Sequence, residues 1–177
     1  MTSSAMFDGR IGEGWSGTDP DGAHVNLVLA ERGSPTHAAL VGTLTAPTPG
    51  HTPILVVVGE DKDHYQPVWP PTIMMNKATA LEERHQTITW GAAQLGIAQG
   101  VLDGVAEDLI PCSGDVLVFI AIYIDPAADD ETAVRLAARA ATLKAVRVAS
   151  QGRDQEAARA LVERRDSVTS PFYGGQP

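Results

Sequence analysis

The stretch that organises this chain is Met74 to Val105, MMNKATALEERHQTITWGAAQLGIAQGVLDGV. It opens on the polar cluster Asn76-Lys77-Ala78-Thr79 and runs into a long helical pattern, about Glu82 to Leu109. Gly96, Gly100 and Gly104 stand four residues apart and so form a stripe on one helix face. Each interior glycine costs a helix roughly 1 kcal/mol relative to alanine. Close approach of another backbone, from a strand, a helix or a subunit, is the usual compensation. Gln94 falls in the early turns of this helix, near the end that follows Lys77 and Thr79. This reading places a ligand there.

Upstream, Arg10 to Gly17 is a weak strand candidate carrying Trp15, and Asp19-Pro20-Asp21-Gly22 is a turn. Ala23 to Ala30 is a strand. Its period of two puts Val25, Leu27 and Leu29 on a core face and His24 and Asn26 together on the other. Ser34 caps and Pro35 begins a helix to about Leu44. Pro53 to Gly59 (PILVVVG) is apolar throughout and reads as a strand buried on both faces. Glu60 to Pro71 is a polar loop. Thr72 to Thr79 is strand-like, so Lys77 and Thr79 are expected to share a face.

Downstream, Asp115 to Asp125 contains VLVFIAIYI, the strongest strand and the expected centre of the sheet. Ala128 to Ser150 is a helix with Asp129, Asp130 and Glu131 in its first turn, as the helix dipole favours. Gln155 to Arg165 is a last helix. The tail carries Phe172 and Tyr173. No glycine-rich phosphate loop follows any strand. The pattern gives an α/β protein, built as an α+β two-layer sandwich with helices on one face of a mixed sheet. At 177 residues the chain suits one domain, with residues 1–8 and 174–177 expected to be flexible.

The composition narrows the function. The chain is 44% hydrophobic and 20% charged, an ordinary globular balance. Twenty-two acidic against 13 basic residues give a formal charge of -9, which argues against a nucleic-acid partner. Cys112 is the only cysteine, so no internal disulfide and no cysteine-rich zinc site is expected. No signal peptide or membrane span is seen, and a cytoplasmic protein is the expectation.

His24 is the best catalytic candidate, because an imidazole can exchange a proton near neutral pH; a hydrogen-bonded surface histidine is the plainer alternative. Lys77 and Thr79 can grip a polar ligand edge, or be a solvated strand end. Gln94 offers an amide donor and acceptor among small neighbours, or an interface hydrogen bond. His37, His51, His64 and His85 lack metal-ligand spacing, and no metal is expected.

Taken in order, GEGWSG, AHVNLVLAERGSP, PILVVV, MMNKAT, WGAAQLGIAQGVLDGVAEDLIP, AADD and ERRDSVTSPF resemble the formaldehyde-activating enzyme family, the tetrahydromethanopterin hydro-lyases. The resemblance implies a fold like the second domain of ribosomal protein S5, a homopentamer, and a reduced pterin bound between subunits. It implies condensation of formaldehyde with tetrahydromethanopterin, or a related pterin, to the methylene derivative and water, with no tightly bound cofactor. The family's proton-donor histidine falls on His24, and its pterin-contacting positions on Asn26, Leu55, Lys77, Thr79 and Gln94. The family has aspartate where this chain has Asn26. An amide supports a protonated histidine far less than a carboxylate does, so His24 is expected to have a lower pKa and to be a weaker acid at neutral pH. That departure keeps two other readings open: a non-catalytic pterin- or aldehyde-binding protein or sensor, and an enzyme of the same scaffold acting on a folate or another carbonyl compound.

Overall fold

A computed structural model describes residues 6–152, 154–171 and 174 of the chain. Strand β1 is Arg10–Ser16 and β2 is Ala23–Glu31. Helix α1, Pro35–Gly42, begins as the sequence requires: Ser34 accepts a hydrogen bond from the His37 amide and Pro35 takes the first position. The short strands β3 (Ile54–Leu55), β4 (Val57–Val58) and β5 (Gln66–Pro67) lead to β6, Thr72–Asn76. Helix α2 (Glu83–Thr87) and helix α3 (Gln94–Ala106) flank a π-helical segment. Strand β7 is Val116–Ile124, followed by α4 (Glu131–Gln151) and α5 (Gln155–Glu163). Asp130 caps α4 by accepting from the Thr132 and Ala133 amides.

The main sheet runs β1-β2-β7-β6-β3, with β6 parallel to β7 and the other neighbours antiparallel. The expected strand at Val116–Ile124 is central. Val25, Leu27 and Leu29 of β2 join Ile120 and Ile122 of β7 in the core, with Ile97 and Val101 of α3 and the alanines of α4 above them. This is the expected sandwich, with α3 and α4 packed on one face of a mixed sheet. On the opposite face, Leu40 of α1 packs near Val28, Ile73 and Phe119. The other end of that face carries His24.

Helix α4 seats directly on glycine. A Cβ on Gly12 would overlap the Ala145 carbonyl, and one on Gly14 the Ala141 carbonyl. Across the layer, a Cβ on Gly96 would overlap the Arg135 carbonyl, and one on Gly100 would lie 2.6 Å from the Arg139 carbonyl. Gly104 meets the Val146 side chain. The glycine stripe is therefore a groove for α4, which resolves the choice among strand, helix and subunit for this face.

Three expectations need correction. The helix expected over Glu82 to Leu109 is interrupted by the π-helical segment Ile88–Ala93. The buried positions explain it: His85, Thr89, Ala93, Ile97 and Val101 repeat every four residues. An α-helix turns once in 3.6, so such a row drifts by about 40° per turn; a wider π turn takes up part of the drift.

The run PILVVVG is not one buried strand. Ile54–Leu55 pairs with β6, whereas Val57–Val58 pairs with β5 in a separate two-stranded sheet. Pro70 and Pro71 precede β6 and have no N–H to continue the first ladder. Val56 is buried, but Leu55 is 39% exposed. Finally, β6 ends at Asn76, not Thr79. The buried Asn76 amide donates to the Gly50 carbonyl at 2.6 Å and to the Ala78 carbonyl, turning the chain off the sheet. Lys77 and Thr79 therefore do not share a strand face.

The glycine seat predicts opposite signs for two substitutions. Gly12→Ala forces a methyl into the Ala145 backbone and is expected to destabilise by about 1–3 kcal/mol or more. Gly42→Ala meets nothing within 4 Å and should stabilise by up to about 1 kcal/mol. Urea denaturation midpoints check both.

Candidate active site

The register of β1, β2 and β7 brings Trp15, His24 and Tyr123 side by side, with Glu13, Asn26 and Ala121 as the next row. They line the open end of the face opposite the helices. Lys77 enters from the end of β6, where its amide still pairs with the Ile122 carbonyl. A cleft of about 850 Å³ is lined by Glu13, Trp15, Asp19, His24, Lys77, Tyr123, Asp125 and Pro171. The turn carrying Asp19 is tied to the start of α4, because Asp21 accepts from the Asp129 and Asp130 amides. Lys144 of α4 donates to the Trp15 carbonyl at 2.8 Å.

His24 lies between opposite charges. Its Nε2 is 2.5 Å from Glu13 Oε1 and its Nδ1 is 2.9 Å from Lys77 Nζ. A carboxylate only accepts, so Nε2 carries a proton and donates to Glu13. Nδ1 and Nζ then share one further proton. Either the ammonium donates to Nδ1, or Nδ1–H donates to a neutral amine. Lys77 also donates to Asn26 Oδ1 at 2.7 Å. Burial lowers the Lys77 pKa below the 10.5 of a free lysine, and the Glu13 charge opposes that shift. The Trp15 ring stands 6.1 Å from the imidazole, centroid to centroid.

On the strand beside His24, Tyr123 donates to Asp125 Oδ2 at 3.3 Å. Burial, reinforced by the Asp125 charge, raises the phenol above its usual range. Tyr123 thus stays an O–H donor at neutral pH.

The other sequence candidates are not gathered here. Thr79 is exposed beside the Asn76 turn, where it donates to His51 Nε2 at 3.0 Å; His51 Nδ1 donates to the Asn76 carbonyl at 3.0 Å. His51, read from sequence only as a non-ligand, positions Thr79. Leu55 projects on the His24 side of the sheet but three strands across, about 14 Å, and four residues along, about 13 Å, at the usual strand spacing and rise. Gln94 belongs to the helix layer and donates to the Trp90 carbonyl at 3.2 Å. It lies across the sheet from His24 in the same chain.

Sequence reasoning missed Glu13. Alternation along RIGEGWS places Glu13 and Trp15 on one side, but their alignment with His24 is a pairing register that the sequence does not print. Asn26 is neutral, and the carboxylate beside His24 comes from Glu13 instead. Phe172 and Tyr173 lie outside the described residues. Among those described, no cluster of histidine, cysteine and carboxylate groups could hold a metal, and no helix is long and apolar enough to cross a membrane.

The electrostatics predict a direction. Glu13→Gln removes the charge that opposes deprotonation of Lys77, so the Lys77 Nζ titration should move to still lower pH. An NMR titration of the lysine side chains would show this; an unmoved or raised midpoint would contradict the assigned contact.

The family model described as formaldehyde-activating enzyme matches residues 11–173. A 5,6,7,8-tetrahydromethanopterin hydro-lyase of Methanosarcina barkeri is 31% identical over 171 residues, covering 94% of this chain and 92% of that protein. Bifunctional Fae/Hps enzymes of Methanothrix thermoacetophila and Methanosarcina acetivorans are 29% and 31% identical over 80% and 81% of this chain. The match spans only 36% of each bifunctional protein. With the family model covering nearly its whole length, the chain belongs to the formaldehyde-activating enzyme family.

Proposed function

We propose that this protein condenses formaldehyde with tetrahydromethanopterin, or a closely related reduced pterin, to the methylene-pterin and water. The observation that carries the reading is the Glu13–His24–Lys77 array in an open cleft. A pterin amine adds to formaldehyde and gives a carbinolamine. Its hydroxyl leaves as water when an acid donates a proton, and His24 is the proposed acid. The iminium that remains is captured by the second pterin nitrogen, closing the ring. No electrons change hands. Much of the advantage over the uncatalysed reaction comes from holding the two reactants together.

Asn26, Leu55, Lys77, Thr79 and Gln94 are proposed to contact the pterin. Gln94 supports an assembly in which neighbouring copies complete the site. Within one chain it faces away from His24, so a ligand touching both takes Gln94 from another subunit. The exposed Ile11 and Leu55 on the His24 side of the sheet are consistent with a covered face. A homopentamer in the cytoplasm is the arrangement proposed from the family resemblance. Asn26 alone favours a non-catalytic binding protein. The Glu13 carboxylate beside His24 weighs against it, because a pure binding site has no need of a supported acid.

The initial rate of methylene-tetrahydromethanopterin formation, with and without protein, tests the assignment. A protein-dependent rate is expected, and His24→Ala should lower it roughly a hundredfold to ten-thousandfold, the usual weight of a general acid, or to background. A wild-type rate equal to background would overturn the proposal.

A further inference from the structure

The sequence holds three lysines, Lys62, Lys77 and Lys144. Lys62 and Lys144 are exposed, whereas Lys77 is half-buried in the cleft. Among the described residues it is the one primary amine lining that cleft. The partner at Asn26 sets its character. An amide oxygen accepts the Nζ–H bond at 2.7 Å but holds no charge against the ammonium. An aspartate at that position would hold the lysine charged. Here the proton on Nζ can pass to His24 Nδ1, 2.9 Å away, with Glu13 supporting the imidazolium from the far side. The pair so formed, a neutral amine beside a protonated imidazole, is a nucleophile next to an acid.

We propose that Lys77 takes formaldehyde first, as an imine on Nζ, and passes the methylene carbon to the pterin. This rests on the condensing activity proposed above and changes the order of its events. The Nζ lone pair forms the new C–N bond, the carbonyl pair moves onto oxygen, and a proton transfers from Nζ to that oxygen, giving a carbinolamine. His24 donates a second proton to the hydroxyl. The C–O bond breaks, water leaves, and the nitrogen pair closes to Lys–NH⁺=CH₂. A pterin amine attacks this carbon, and the C=N pair returns to Nζ. A proton moves from the pterin nitrogen to Nζ, and the Nζ–C bond breaks with its electrons on Nζ. Free Lys77 and the pterin iminium result; the second pterin amine closes the ring and releases a proton. The sum is one formaldehyde and two pterin N–H bonds converted to one N–CH₂–N link and water.

The test needs no pterin. The intact protein is exposed briefly to limiting formaldehyde near neutral pH and reduced with borohydride. Peptide mass mapping then locates the methyl groups, with the α-amino terminus read separately. Lys77 is expected to carry most of the lysine label and Asn26→Asp to abolish that preference. Label spread evenly over the three lysines, or missing from Lys77, overturns the proposal, as does a preference that Asn26→Asp leaves intact. Lys77→Arg keeps a cationic donor but cannot form the imine. Its pterin condensation should fall to background, and wild-type turnover would refute the covalent route. Selective trapping on Lys77 without any acceleration of pterin condensation would leave the capture standing and remove the condensing function, so the two readings fail separately.

Discussion

The structure depends on how closely α4 approaches its neighbours. Its alanine face rests on the bare backbone of β1 at Gly12 and Gly14 and in the groove of α3 at Gly96 and Gly100. Without those glycines the helix would have to lift, and β1, an edge strand paired only with β2 in the sheet, would lose its backing. The consequence reaches the cleft through the pleat. The residues between the glycines, Glu13 and Trp15, project on the opposite side because successive strand residues alternate. A packing constraint on one face thus fixes the carboxylate and the ring that flank His24 on the other. Lys144 on the Trp15 carbonyl and Asp21 on the first amides of α4 pin the same strand and turn from two more directions.

Electrostatics then set what the cleft does. The chain as a whole is acidic, and the cleft shares that character through Glu13, Asp19 and Asp125. Lys77 is the one lysine or arginine among the described residues that line it, and burial makes it easier to deprotonate. Replacing an aspartate by Asn26 looks from sequence like the loss of the histidine's support. In three dimensions the support comes from β1, and the substitution acts on the lysine instead.

Much of this was legible in the sequence because it is local. Alternation in AHVNLVLA put His24 and Asn26 on one face, the apolar run at β7 marked the sheet centre, and the glycine stripe announced a close helix contact. What was not legible depends on partners distant in sequence. Glu13 reaches His24 only through strand register. Leu55 is exposed because its short strand lies at the sheet edge and its side chain points to the His24 side. Thr79 leaves the strand because buried Asn76 bonds back to Gly50, twenty-six residues away. The π-helical segment is invisible to a pattern that assumes 3.6 residues per turn, because the four-residue repeat shows only once burial is known.

The proposal to test first is that the reduced pterin is held on the His24 side of the sheet, against Trp15 and His24. The most direct measurement is the NMR spectrum of the tryptophan indole and histidine ring signals during titration with tetrahydromethanopterin in the absence of formaldehyde. Saturable shifts of the Trp15 indole and the His24 ring with a common dissociation constant are expected. Saturable binding that leaves both signals unmoved would place the pterin elsewhere and contradict it.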